Sequence, residues 1–313
     1  MRKVNSTRTS ASASSTSTSA ARARTSKKRT RTTAASTRKA SASSADTTPL
    51  VGHSKRPTVA LRYSQEPTVK LDPYQVVAVR WLLQHPFACV FLDPGLGKTV
   101  VVLMAFWLLK RAGLIDFMVV VAPLDPCYLV WPEEVRKWNF PFKVAVLHGP
   151  DKDRAVLEDA DVYVINYEGL GWLHPHVEGL RTRQGRGWLV ADESTAVKHQ
   201  KSLRHRLVMT MVDCFGRRTN LTGTPMPNGY LDLFGQMLCV DNGKRLGVFF
   251  THFRNAHFVP LFASGEKVGT GAPDAAEAAR AVKLAQKTHA VARWVPTSKG
   301  VRFIDEALKD VCI

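Results

Sequence analysis

The stretch Phe91-Leu92-Asp93-Pro94-Gly95-Leu96-Gly97-Lys98-Thr99-Val100 decides how the rest of the chain is read. It leaves an apolar run, Ala88-Cys89-Val90-Phe91-Leu92, with the character of a buried strand. It enters a second run, Val100 to Lys110, long and apolar enough for a packed helix. Between them lies a glycine turn that ends in Lys-Thr, which is the chemistry of a phosphate cradle. Gly95 and Gly97 let backbone N–H groups close around phosphate oxygens where a Cβ would stand in the way. The free N–H groups and the dipole of the helix start add to that attraction. Lys98 can reach terminal phosphates, and the Thr99 hydroxyl can ligate Mg²⁺. The strict phosphate-loop pattern asks for Gly at position 92, where this chain has Leu, so the short form Gly-x-Gly-Lys-Thr is what is met. The bland alternative is a glycine turn that binds nothing; the strand before and the helix after speak against it.

The chain has 313 residues and a formal net charge of +18, which favours an anionic partner. Residues 1–57 hold 13 Lys/Arg and one acid, Asp46, for +12; the remainder carries 31 basic and 25 acidic residues, for +6. That first segment is nearly all Ser, Thr, Ala, Arg and Lys without an aromatic, so it predicts a disordered basic tail. Three uses of the tail stay open: a nonspecific nucleic-acid arm, a solvated tail without a dedicated role, and an organelle transit peptide. No apolar run is long enough for a bilayer, and no apolar segment near the start reads as a secretory signal. The five cysteines show no Cys-x-x-Cys spacing, which predicts buried thiols in a reducing compartment and no zinc. Cytoplasmic residence on nucleic acid is the expectation.

Upstream of the loop, Leu71-Asp72-Pro73-Tyr74-Gln75 predicts a helix start, with Asp72 as N-cap and Pro73 in the first turn. Gln75 then lies near that helix start; its amide offers one donor and one acceptor, the complement of an adenine edge. Read alone, a surface glutamine is the favoured reading. Downstream, apolar strands recur at Phe117–Ala122, Val144–Leu147, Asp161–Ile165, Trp188–Ala191 and Thr219–Leu221, with helical intervals between them. That alternation predicts an α/β fold with a parallel, doubly wound sheet. Ligands in such sheets bind beyond the carboxyl ends of the strands.

Polar motifs sit at those ends. Asp192-Glu193-Ser194 follows one strand; Asp192 suits Mg²⁺ alongside Thr99, and Glu193 suits the attacking water. Asn220-Leu221-Thr222-Gly223-Thr224-Pro225-Met226-Pro227-Asn228 leaves another, where two hydroxyls and a glycine could pass a signal between phosphate and polymer sites. Lys198, Lys201, Arg204, His205 and Arg206 form a basic run, either a solvated helix face or a contact to a nucleic-acid backbone.

Tyr74-Gln75, Asp93 to Thr99, Ala122-Pro123-Leu124 with Trp131, Asn166-Tyr167-Glu168, Asp192-Glu193-Ser194, Leu221 to Pro225 with Asn228, and Phe250-Thr251-His252-Phe253-Arg254 occur in one order. The series resembles the first RecA-like lobe of the Swi/Snf-type DNA translocases, a branch of the superfamily-two helicases, and most the compact versions encoded by bacteriophages. The resemblance spans residues 58–262. It implies that Gln75 reads adenine, that Asp93, Pro94, Gly95, Leu96, Gly97, Lys98 and Thr99 hold ATP, and that Thr99 and Asp192 hold Mg²⁺. It makes Lys98, Asp192 and Glu193 catalytic. It gives Thr222, Gly223 and Thr224 the coupling of ATP state to DNA, and turns Pro123 and Tyr167 toward the DNA backbone. Departures are Leu92-Asp93-Pro94 in place of the family's Asp-Glu-Met, and Thr195 where a His is frequent.

Residues 263–313 predict a glycine-rich linker, one Ala-rich helix over Asp274–Trp294, and a short amphipathic end carrying Arg302. No strand–helix series of a second lobe is visible there, so the expectation is an N-terminal motor lobe whose partner lobe comes from a separate polypeptide or has been lost. Two function classes follow: a double-strand DNA translocase lobe that binds ATP and hydrolyses it slowly alone, or a non-catalytic nucleic-acid-binding protein derived from such a lobe. A small-molecule kinase fits poorly, because the Leu-Thr-Gly-Thr-Pro turn would have no purpose.

Overall fold

In a computed structural model, which describes residue 63 and residues 65–262 and 291–313, the apolar runs become a six-stranded sheet. Its strands are β1 (Phe87–Phe91), β2 (Phe117–Ala122), β3 (Val144–Val146), β4 (Val162–Asn166), β5 (Gly187–Asp192) and β6 (Arg217–Thr222). The order is β1-β6-β5-β2-β4-β3, and every neighbouring pair is parallel. β2 and β5 are buried along their whole length, which is why they read as unbroken apolar runs instead of alternating ones.

Helices cover both faces. On one, Met118, Val120 and Ala122 of β2 pack with the helices Pro73–Gln84 and Lys98–Arg111 and with Trp131. On the other, Phe117, Val119 and Val121 pack with Leu180 and Val208 from the helices Val177–Gln184 and Leu203–Met211. The period of two along a single strand therefore serves two cores. Each large apolar side chain so buried contributes about 1.5–3 kcal/mol.

A third cluster joins Cys89 of β1 to Phe234 and Met237 of the helix Asp232–Asp241, Phe253 of the helix Phe250–His257, and Ile304 and Val311 near the C-terminus. Here the structure departs from the sequence reading. The helix expected over Asp274–Trp294 ends too late. Residues 274–290 lie outside the described residues, but Val291–Pro296 is a strand, β8, antiparallel to β7 (Phe258–Phe262). Val295 and Trp294 favour a pleated surface, and they find one opposite Val259 and Pro260. The Arg254 guanidinium lies 4.1 Å from the centre of the Trp294 ring.

The amphipathic end is the helix Ser298–Leu308, capped by Thr297, whose hydroxyl accepts from Gly300 N–H at 2.9 Å. It buries Gly300, Ile304 and Leu308, one stripe at four-residue spacing. Beyond it the chain runs beside β1: Cys89 N–H donates to Val311 O at 2.7 Å and Phe91 N–H to Ile313 O at 2.7 Å. Residues 291–313 thus pack onto the lobe instead of running free as a linker. The tail expected over residues 1–57 lies outside the described residues.

Candidate nucleotide site

The strand order brings the motifs together. β1, β6 and β5 are consecutive neighbours, with Phe91 opposite Thr222 and Asp192 opposite Leu221. Their carboxyl ends therefore deliver the phosphate loop, the Thr-Gly-Thr turn and the acid pair side by side. β2 and β4 follow in the same row and deliver Pro123 and Tyr167.

Between β1 and its helix, residues 93–96 form an exposed turn. Gly95 (φ +85°) and Gly97 (φ +74°) are left-handed, a backbone open to glycine at no steric cost. A Cβ on Gly97 would stand 2.5 Å from Gln75 Nε2. Lys98 begins the helix, and its ammonium donates to the carbonyls of Leu92 (2.9 Å) and Asp93 (3.4 Å), which hold it along the loop. Thr99 is half-buried in the same first turn.

Gln75 is no surface glutamine: it is 8% exposed and sits against the loop. Its Nε2 donates to Leu96 O at 3.2 Å, and its Oε1 accepts from Asp72 N–H at 3.0 Å. Tyr74 also donates to Leu96 O, at 3.3 Å. The amide assigned to adenine is thus engaged at both ends, its nitrogen tying the first helix to the phosphate loop and its oxygen closing that helix's own capping box; contact with a base would replace one of these bonds.

At the end of β5, Asp192 is buried and its carboxylate accepts from Trp131 Nε1–H (3.0 Å) and from Glu193 N–H (3.2 Å). Burial pushes this carboxyl above the ordinary aspartate value; the Trp131 hydrogen bond opposes that, the Glu193 charge adds to it, and the Lys98 ammonium draws it back down. Glu193 has a left-handed backbone, φ 51°, which is uncommon for a residue with a side chain.

β6 ends on Thr222, whose hydroxyl donates to Glu193 Oε2 at 3.1 Å and accepts from Thr224 N–H at 3.1 Å. Gly223 lies on the phosphate loop: a Cβ there would be 2.6 Å from Pro94 Cδ. The Thr-Gly-Thr turn thus touches the acid pair on one side and the loop on the other.

Two expectations are corrected. Tyr167, expected to face the DNA backbone, is 3% exposed, and its hydroxyl donates to the Asp192 carbonyl at 2.8 Å. The apolar wall around it pulls the ring inward, so it supports the acid pair from beneath. The basic run also divides. Lys198 is mostly buried and pairs with Asp232 at 3.0 Å, and His205 is buried; Lys201, Arg204 and Arg206 face outward, with Arg204 paired to Glu168. Pro123 is half-buried at the head of the helix Leu124–Leu129, which exposes Leu124, Tyr128 and Leu129. Sequence reasoning gave Trp131 no role at the acid pair; its apolar neighbourhood carries no signal for a hydrogen bond to Asp192.

Among the described residues no three His, Cys, Asp or Glu side chains gather into a metal cluster of their own. The oxygen groups on this rim, among them the Thr99 hydroxyl and the Asp192 carboxylate, are of the kind that suits Mg²⁺, which keeps water and phosphate oxygens among its ligands.

A six-stranded parallel sheet flanked by helices, with the glycine turn, the acid pair and the Thr-Gly-Thr turn on neighbouring strands, defines a doubly wound α/β lobe of RecA-like fold. The SNF2-related domain matches residues 74–286, and the chain belongs to that family. A putative protein, p41, of Acyrthosiphon pisum secondary endosymbiont phage 1 is 34% identical over 206 residues, 62% of this chain and 44% of its own. An uncharacterized ATP-dependent helicase of Mycoplasma pneumoniae is 31% identical over 171 residues, 52% of this chain and 16% of its own. The Sulfolobus solfataricus SWI2/SNF2 ATPase core in complex with dsDNA shares the fold, with TM-score 0.57, 21% identity, and coverage of 79% of this chain and 44% of that one. The chain spans less than half the length of these relatives.

Proposed function

We propose that this chain is the ATP-binding lobe of a DNA-dependent ATPase that moves on or remodels duplex DNA. The observation that carries the reading is the 3.1 Å bond from Thr222 to Glu193, made by the same turn whose Gly223 rests on Pro94. Acid pair, sensor turn and phosphate loop are thereby one connected unit. A turn that contacts both the phosphates' cradle and the group that handles water is suited to report which nucleotide is bound.

In this reading the backbone N–H groups of Asp93, Gly95, Leu96 and Gly97 and the Lys98 ammonium bind the phosphates of ATP, with Pro94 shaping the turn and Gln75 at the base. Thr99 and Asp192 hold Mg²⁺, which when bound neutralises phosphate charge. Glu193 orients the attacking water and takes its proton. Thr222 restrains the Glu193 carboxylate, and its hydroxyl passes any movement to Thr224. Pro123, Thr224 and the exposed Leu124–Leu129 helix face the DNA. Arginines that stabilise the γ-phosphate in such motors are worth about 10³–10⁵ in rate and belong to a second lobe. We place that lobe on a further stretch of chain or on a separate polypeptide, and expect turnover by these residues alone to stay below about 1 s⁻¹.

Lys98→Ala tests the reading. ATP should change the DNA affinity of the parent chain and leave that of the variant unmoved. If ATP alters neither, the chain is a nucleic-acid-binding protein without a working nucleotide site. DNA-stimulated hydrolysis on the order of 1 s⁻¹ or faster by this chain alone would refute the need for a second lobe.

A further inference from the structure

The helix Asp232–Asp241 lies behind the site and carries two polar side chains one turn apart, Asp232 and Gln236, at 6% and 0% exposure. Each reaches both of the loops that frame Glu193. Gln236 Oε1 accepts from the Ser194 hydroxyl at 2.7 Å, and its Nε2 donates to Pro225 O at 2.7 Å. Asp232 Oδ2 accepts from Lys198 Nζ at 3.0 Å and from Asn228 N–H at 2.9 Å. Ser194 and Lys198 belong to the loop that follows the acid pair. Pro225 and Asn228 belong to the loop that follows Thr222.

Chemistry fixes the direction of the glutamine. Its Nε2 also donates to Asp232 O at 3.0 Å, so two carbonyls demand the donor end. The acceptor end is left for Ser194, which must donate. The Gln236 backbone carbonyl in turn accepts from Asn220 of β6 at 2.8 Å. Gly235 lets the helix come this close: a Cβ there would stand 2.2 Å from Lys198 O. Every polar atom of the Gln236 side chain is engaged without solvent, a condition in which such networks are stiff and costly to break in part.

We propose that Gln236 and Asp232 are positioning residues that clamp the acid-pair loop to the Thr-Gly-Thr loop, so that the two move as one body when nucleotide is bound. The clamp keeps Thr222 within hydrogen-bond reach of Glu193 and carries displacement at the acid pair to Pro225 and Asn228. It acts through Glu193 and Thr222 and touches no substrate. The inference rests on the nucleotide-site reading given above.

The test compares the parent with Gln236→Met, which keeps volume and loses every side-chain hydrogen bond, and with Ser194→Ala, which opens only the outer contact. ATP affinity, DNA affinity with and without ATP, and melting temperature are measured on each. The clamp requires that ATP affinity stay within about twofold of the parent while the ATP-induced change in DNA affinity shrinks by about tenfold. A packing role alone would lower melting temperature and leave the ATP-induced change intact, and that result in both folded variants overturns the inference. Should Gln236→Met not fold, Ser194→Ala gives the same reading on its own. A parent whose DNA affinity ignores ATP would overturn the nucleotide-site reading, and the clamp with it; a parent that responds while both variants respond equally overturns the clamp alone.

Discussion

Gly97 and Glu193 share a left-handed backbone for opposite reasons. At Gly97 the turn needs it and glycine supplies it freely, with the close approach of Gln75 as a second demand. At Glu193 a side chain tolerates it, because the turn that lets its carboxylate meet Thr222 starts there. A strained backbone of this kind is found often at functional positions, which agrees with the role proposed for Glu193. Gly97→Ala should therefore lose about 1–2 kcal/mol from the backbone alone, plus the cost of displacing Gln75. Urea denaturation checks the first, and an ATP titration should show weakened binding. Glu193→Gln keeps the backbone and the volume and removes the carboxylate proposed to take the proton. It should bind ATP like the parent and hydrolyse it about 10²-fold more slowly or worse, read as single-turnover rate. At this scale the loop was legible because its chemistry is local: glycines, lysine and threonine stand within five residues. The supports of the acid pair were not. Trp131 and Tyr167 reach Asp192 across 61 and 25 positions, and an apolar run gives no hint of such a bond.

Elements were legible where one pattern ruled and illegible where two competed. β2 and β5 announced themselves as apolar runs, and Asp72-Pro73 marked a helix start that the structure places at Pro73. The segment before Trp294 mixed alanine with β-branched residues, and pairing with β7, a contact distant in sequence, decided its last part. Two expectations belong to elements. The helix Leu203–Met211 is docked by His205, whose Nδ1–H donates to Val197 O at 2.7 Å. Burial holds the His205 imidazole below its usual range, and the Val197 bond only partly offsets that. The unfolded chain then takes up a proton before the folded one. Its contribution to stability is full above the ordinary histidine value near 6.5 and is lost as pH falls from there to the lower folded value. His257, also held down by burial, adds in the same direction. Melting temperature followed from neutral to mildly acid pH should fall in the parent, and less steeply in His205→Gln. The second concerns the C-terminal edge. Removing residues 309–313 takes Val311 from the core and strips three backbone hydrogen bonds from Cys89 and Phe91. At about 2 kcal/mol for the side chain and about 0.5–1.5 for each bond, the loss is about 3.5–6.5 kcal/mol and melting should drop by about 7 °C or more.

For the whole molecule, most of the net charge lies outside the stretch that the family match covers. The family match begins at residue 74, whereas most of the net charge lies before residue 58. If the first segment holds DNA through its cations, affinity and sensing should come apart on deleting residues 1–57. Every phosphate that the deletion leaves unneutralised flattens the slope of log affinity against log salt by about 0.9. Even half of the 13 cations engaged would make a change in slope easily measured. An unchanged slope would mean that the segment does not touch the polymer. The ATP-induced change in DNA affinity should survive the deletion, because the residues proposed to produce it, from Gln75 to Gln236, all remain. A shortened chain that binds DNA weakly and still answers to ATP would locate holding in the tail and sensing in the lobe. Loss of both together would mean that the lobe sees ATP only when the tail brings it to DNA.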